Sequence, residues 1–399
     1  MKILQVANKA IYPPDGGSLA ILSISKGYIR NGHQVHLLNM VTHKHMNTDD
    51  SIEDEYKESL TISGVKINSR ISLFKLLYNL FFSTKPYISE RFFSSEFKRK
   101  LISLLKSESF DIVQLEGLYC LQYLNFLREI YSGKVLYRPH NMEYLIWKRN
   151  SSESPSIIKK IYFSIISHRL KKLESKFINT YDFLIPISQN DANLFKELGN
   201  KKPFIVSPFG IDIHKVQSQG SKPNNELSEN INYIGALDWI PNQQGLLWFI
   251  EKCLPTIIRS HPNVMLNVAG RNAPKWFIDK LKHKNISYFG EVENANDFLQ
   301  QSGPVIVPLF SGSGIRVKII EGMALKKAII ATRIAAEGIN CKHEKNILLA
   351  DTPEEFSGLI NKTLTDRNFQ ERIGDNAFLF VNKNYNFTEI ASNILNFIK

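Results

Sequence analysis

Residues 308–325 read Pro-Leu-Phe-Ser-Gly-Ser-Gly-Ile-Arg-Val-Lys-Ile-Ile-Glu-Gly-Met-Ala-Leu, a glycine-rich turn at the mouth of a helix that carries Arg316, Lys318 and Glu321. Gly312 and Gly314, with Ser313 between them and Ile315 after, let the backbone approach an anion closely, and the free N–H groups of the following helix point at it. Two cations in the first turns suit a diphosphate. Glu321, farther along the helix, suits a carboxylate that accepts hydrogen bonds from a sugar's vicinal hydroxyls. An ordinary amphipathic helix with a glycine start and solvated charges fits the same residues, and the spacing alone leaves both readings open.

Other loops offer related chemistry. The stretch Asn8 to Ser18 contains Gly16-Gly17 ahead of a helix, exposed backbone donors for a phosphate or a sugar, although Pro13-Pro14 also suits a rigid turn. In Arg138-Pro-His140-Asn-Met-Glu143 the histidine can bond a substrate hydroxyl, and nearby Glu143 can hold its ring in one tautomer. Arg271 could clamp a phosphate bidentately or cap a surface turn, and Trp239 could stack on a base or simply pack. The dinucleotide fingerprint fails because Val317 stands where its third glycine belongs, which argues against a nicotinamide-dependent dehydrogenase. No H-E-x-x-H, no D-x-D at a strand end, no G-x-S-x-G and no P-loop occurs, so no metal ligands are assigned and hydrolase and kinase readings recede.

These loops need strands to hold them. Short Ile/Val/Leu runs alternate with segments of helical spacing, the pattern of parallel sheets covered by helices, and the fold class is α/β. The first half offers strands at Ile3–Ala7, Val35–Asn39, Asp111–Leu115, Val135–Tyr137 and Phe183–Ile187. The second offers Ile231–Gly235, Val264–Ala269, Ile286–Phe289, Val305–Pro308, Ala328–Ala331 and Ile347–Leu349. Poor apolar patterning with Pro208, Gly210, Gly220 and Pro223 marks a linker. The expected plan is a Rossmann-like domain over 1–207, a linker over 208–230, a second Rossmann-like domain over 231–381, and a C-terminal helix over 382–399 that crosses back to the first. Two parallel sheets would then face a central cleft, with ligands beyond the carboxyl ends of the strands.

Composition sets bounds. A chain of 399 residues with 43% hydrophobic and 22% charged residues fits a water-soluble globular protein of two domains. The net charge of +12 predicts attraction to polyanions without choosing among them. Cys120, Cys253 and Cys341 are too few and too scattered for a disulfide framework, so a reducing cytoplasm is expected. The first residues run straight into a strand pattern without a signal-peptide stretch, and nothing approaches an uncharged span of transmembrane length.

Taken together, Gly16-Gly17, His140-Asn141-x-Glu143, Ile187-Ser188-x-x-Asp191, Pro208-Phe-Gly210-Ile-Asp212, the Tyr233–Asn242 loop, Gly290 and the block from Gly312 to Ala324 resemble glycosyltransferase family 4 across nearly the whole chain. The resemblance implies the two-domain GT-B architecture and retaining transfer of a sugar from a nucleotide donor. It matches Glu321 to the second Glu of the family's E-x7-E motif, which binds the donor's ribose, sets Arg316 and Lys318 near the diphosphate, and gives His140 a contact with the donor sugar. Two departures stand out. Ser313 occupies the place of the motif's first Glu, and the loop after Tyr233 lacks the usual Arg or Lys, so Arg271, Arg316 and Lys318 are expected to supply that charge. The nucleotide sugar is a co-substrate, and no cofactor or metal is expected.

No carboxylate stands out as a nucleophile, which favours front-face attack by the acceptor hydroxyl with the departing phosphate taking its proton. Basic, aromatic-rich segments at 73–82 and 157–177 suit an anionic bilayer surface and a lipid-linked or glycan acceptor, or else cover the sheet with solvated lysines outside. The expected activity is thus a retaining, metal-independent hexosyl transfer in bacterial surface polysaccharide synthesis, by a cytoplasmic protein peripheral to the inner face of the plasma membrane. Rival readings are an epimerase or phosphorylase on the same frame, and a binding protein without transferase activity. Nucleic acid is not an expected partner, since basic residues are spread over both halves without a recognition module.

Overall fold

The computed structural model describes residues 1–399 apart from 13–15, 44, 48–52, 219–228 and 312–314. Two compact units emerge. One comprises Met1–Gly210 with Phe387–Lys399, the other Ile211–Asn386.

In the first unit a six-stranded sheet is built from β1 (Lys2–Ala7), β2 (Gln34–Val41), β3 (Leu60–Lys66), β4 (Ile112–Glu116), β5 (Lys134–Arg138) and β6 (Phe183–Leu184), in the order β3-β2-β1-β4-β5-β6. Every pairing is parallel. The central strands are largely apolar because both faces are covered, with Gln5 and Gln114 as buried polar interruptions in β1 and β4. Successive side chains point to opposite faces, so Leu4, Val6, Val113, Leu115 and Val135 enter one core while Ile3, Ala7, Ile112 and Leu136 enter the other. Over the second of these cores lies α1 (Gly16–Arg30), which buries Ile21, Ile24 and Tyr28. Beside it packs the C-terminal helix Phe387–Phe397, which inserts Ile390, Ala391, Ile394 and Leu395 into the same core. Three further helices matter below: α2 (Leu73–Phe82), α3 (Glu143–Glu153) and α4 (Ile157–Phe177). Ser72 and Ser156 begin α2 and α4 by accepting the N–H of the third helical residue.

The second unit repeats the plan. Its strands are β7 (Asn230–Ile234), β8 (Met265–Ala269), β9 (Ile286–Gly290), β10 (Val305–Val307), β11 (Ile329–Ala331) and β12 (Leu348–Leu349), ordered β12-β11-β10-β7-β8-β9. Read from the other edge, this is the strand order of the first sheet, the Rossmann arrangement. Around it run α5 (Ile240–Trp248), α6 (Val317–Ala324), α7 (Pro353–Thr365) and α8 (Arg367–Tyr385). A capping box between Thr352 and Glu355 fixes the start of α7.

All six strands anticipated in this second half lie at β7 to β12. The first half holds one strand more than its sequence pattern signals. Edge strand β3 buries only Leu60 and Val65 and contains Gly64, so it lacks the continuous apolar run that marks its neighbours. Part of the segment assigned to a linker is helical at Ile213–Ser218, where Ile213 and Val216 are buried; residues 219–228 lie outside the described set.

Candidate active site

In each unit the loops that carry chemistry leave the carboxyl ends of the strands beside the point where strand order reverses, β1/β4 in the first and β7/β10 in the second.

In the second unit, β10 leads through Pro308 and Leu309 into α6, whose Ile319, Ile320 and Met323 are buried. That burial fixes the helix face, and Lys318 turns back over the end of β7. Its Nζ donates to the Ile234 carbonyl and to Asn242 Oδ1, both at 3.1 Å, and sits 4.9 Å from the centre of the Tyr233 ring. Asn242 is held in turn by donating to the Ala236 carbonyl at 2.9 Å. A Cβ at Gly235 would stand 3.0 Å from this ammonium and 2.9 Å from Asn242 Nδ2, so glycine keeps the niche open. Burial, reinforced by the neighbouring Arg316 guanidinium, pushes the Lys318 ammonium down to about 7. Among the described residues, its hydrogen-bond partners are thus neutral oxygens.

Arg316 is the residue just before α6, 8% exposed, with its guanidinium 5.9 Å from the centre of the Trp239 ring. Burial lowers its pKa as well. Glu321 lies one turn beyond Lys318, and burial pushes its carboxyl above the ordinary range. Arg271 is exposed on the adjoining loop, which is tied to the Lys318 side by Leu237 N–H donating to the Arg271 carbonyl at 2.9 Å. Ile315 is half-buried, whereas Gly312, Ser313 and Gly314 lie outside the described residues.

In the first unit Gly16 and Gly17 open α1, Gly16 exposed, and His140 follows β5. The carboxylate that meets this histidine is not Glu143. His140 Nε2 lies 2.7 Å from Oε2 of Glu116, the last residue of β4, while Glu143 accepts from the Tyr119 hydroxyl at 3.0 Å. Register explains the difference: Glu116 pairs with Arg138 across β4 and β5, two residues from His140, whereas Glu143 starts α3 and turns away. Arg138 Nη1 also reaches Glu116 Oε2, at 3.2 Å, and both side chains are almost fully enclosed. Gln5 and Gln114 donate to Oε1; Ser25 and Tyr28 bond those two glutamines. Burial alone would raise the Glu116 carboxyl, but the Arg138 charge and the bonds from His140 and Gln114 outweigh it and hold it well below the usual range. An ionised Glu116 fixes the proton of a neutral His140 ring on Nε2 and leaves Nδ1 as the lone-pair nitrogen.

Glu116 carried no motif, yet a signal existed. Gln5 and Gln114 are register partners in otherwise apolar central strands, and polar residues facing one another there require a network.

Two Rossmann-like sheets in this strand order are the architecture of the GT-B class. The family model described as Glycosyltransferase Family 4 matches residues 14–215, just over half of the chain, and that of Glycosyl transferases group 1 matches residues 228–366. The chain belongs to glycosyltransferase family 4. An uncharacterized 44.6 kDa protein in the cps region of Klebsiella pneumoniae is 25% identical, with 98% of each chain covered. An uncharacterized glycosyltransferase of Methanocaldococcus jannaschii is 22% identical over 100% of this chain and 98% of its own. Among solved structures, Anabaena HepE in complex with UDP superposes with a TM-score of 0.64 at 15% identity, covering 100% of this chain and 99% of that one. Sucrose-phosphate synthase from Thermosynechococcus elongatus gives 0.65 at 14% identity, covering 100% and 98%.

Proposed function

We propose that the second unit binds the nucleoside diphosphate of a nucleotide sugar and that the enzyme transfers the sugar, with retention of anomeric configuration, to a glycan or lipid-linked acceptor in surface polysaccharide synthesis. The observation that carries this reading is Lys318, a partly buried ammonium whose partners among the described residues are neutral oxygens, at the β7/β10 reversal. Such a group gains an ion pair when a diphosphate arrives. Arg316 adds a second fixed cation, and the Glu321 carboxylate accepts from the ribose hydroxyls. Solved relatives of the same fold are described in complex with UDP and with UDP-glucose, and the Klebsiella relative is named for the cps region, which supports the donor class and the pathway class.

The demanding event is departure of the nucleoside diphosphate while positive charge grows at the anomeric carbon. Lys318 and Arg316 stabilise that leaving group, so this reading assigns no divalent ion to the step. The acceptor hydroxyl attacks from the face the diphosphate leaves, and its proton passes to the departing phosphate oxygen. His140 contacts a hydroxyl of the transferred sugar, with Glu116 holding its ring.

Thermal unfolding with a panel of nucleotide sugars tests the reading. One donor at about 100 times its dissociation constant stabilises by roughly 2.7 kcal/mol, and Lys318→Ala abolishes most of that gain. A wild-type protein stabilised by no nucleotide sugar overturns it.

A further inference from the structure

Beyond catalysis, α2 poses a packing problem. Its inward face is narrow: Asn79 is buried, with Leu76 and Leu80 half-covered beside it. Of its seven exposed positions, six are apolar or aromatic, Leu73, Phe74, Leu77, Tyr78, Phe81 and Phe82, between 52% and 80% exposed, and the seventh is Lys75. The helix is anchored against α4, whose Arg169 donates to the Asn79 and Leu80 carbonyls at 3.1 and 2.8 Å. The first turn of α4 adds Ile157, Ile158 and Ile161, each more than half exposed. Scattered exposed apolar residues need no explanation, but two adjacent helices that both turn them outward do.

Charge identifies the occupant. Not one acidic residue occurs over residues 61–89 or 154–173, while Arg70, Lys75, Lys85, Lys159 and Lys160 lie in those stretches. Lys75, Lys159 and Lys160 are exposed among the apolar side chains. A second copy of the chain docking by the same face would bring lysine against lysine. The face is also too broad for a coiled-coil seam, since α2 is apolar at consecutive positions rather than at a and d alone. No helix among the described residues is long and apolar enough to cross a membrane. We infer that α2 and the first turn of α4 form a bilayer-docking surface that inserts its aromatic side chains among the acyl chains of an anionic membrane while the lysines meet the lipid phosphates.

The test is co-sedimentation of the full-length protein with phosphatidylglycerol-containing vesicles, compared with pure phosphatidylcholine vesicles. The wild type partitions to the anionic vesicles at low salt and is released as salt rises. Combined Phe74→Ser, Phe81→Ser and Phe82→Ser lowers the partition coefficient by about tenfold or more, and Lys75→Glu with Lys159→Glu and Lys160→Glu removes the preference for anionic lipid. Both variants change only exposed positions, so their thermal midpoints and their stabilisation by nucleotide sugar match the wild type, which separates this inference from the proposed catalysis. Absence of partitioning at low salt overturns it, as does equal partitioning by the serine variant. A wild-type dimer that the serine substitutions dissociate, without vesicle binding, also overturns it and assigns the face to self-association.

Discussion

His140 Nε2 and Glu116 Oε2 stand 2.7 Å apart at the carboxyl ends of two neighbouring parallel strands, and the same carboxylate oxygen holds Arg138 at 3.2 Å. Glu116 thus serves two partners: it orients a histidine that keeps 17% side-chain exposure, and it neutralises an arginine that keeps almost none. Glu116→Gln leaves the Arg138 charge buried without its counter-ion, for a loss of about 3–5 kcal/mol in urea unfolding. Adding Arg138→Met recovers much of that loss, because removing both charges is far cheaper than removing one. The folded pKa of Glu116 lies below its unfolded value, so its contribution is complete above about pH 5 and is lost as pH falls toward the folded value. In the double variant that acid-side slope is shallower.

Lys318 predicts a pH dependence of donor binding. Its ammonium in the free protein titrates at about 7, and a bound diphosphate favours the charged form, so binding takes up a proton above neutrality. Affinity for a nucleotide sugar, whose diphosphate carries no group titrating in this range, is flat below about pH 6 and about tenfold weaker at pH 8, falling further until the pKa of the complex is reached. Calorimetry in two buffers of different ionisation enthalpy measures the proton directly. Lys318→Met flattens the profile and costs about 1.5–3 kcal/mol of affinity at pH 6.

Glu321 separates the two ends of the nucleotide. If Glu321 holds the ribose hydroxyls as proposed, Glu321→Ala weakens a nucleoside diphosphate by about 1.5–3 kcal/mol but leaves inorganic pyrophosphate binding unchanged. Burial already disfavours this carboxylate in the empty protein, so the variant is at least as stable as the wild type without ligand. Parallel titrations and thermal melts check both halves. Equal weakening of pyrophosphate would place Glu321 in the phosphate site instead.

Much of this was legible in the sequence, and the failures have physical causes. Strands buried on both faces announce themselves as apolar runs, so β7 to β12 and five of the first six strands could be read directly. Edge strand β3 could not, because half-burial and Gly64 erase the run. Lys318, Arg316 and Glu321, the proposed donor site, stand out as a group in the sequence because they lie within six residues of one another. Glu116 and His140 are 24 residues apart, and only the pairing of β4 with β5 brings them together. Asn242 likewise meets Lys318 across 76 residues only through the fold.

Two glycines in helices predict opposite outcomes. Gly27 lies in α1 where the C-terminal helix crosses it, and a Cβ there would stand 2.4 Å from the Phe387 carbonyl oxygen and 2.8 Å from Ala391 Cβ. A backbone carbonyl cannot swing aside as a flexible side chain does, so the crossing itself must open. Gly27→Val costs about 1–3 kcal/mol or more in urea unfolding, and limited proteolysis releases the last residues of the chain from the folded variant. Gly358 sits in α7, exposed, with nothing within 4 Å of its would-be Cβ. There the missing side chain brings only extra freedom in the unfolded chain, so Gly358→Ala stabilises by about 0.5–1 kcal/mol. If Gly27→Val leaves the urea midpoint unchanged or raises it, the close crossing of the C-terminal helix over α1 is wrong.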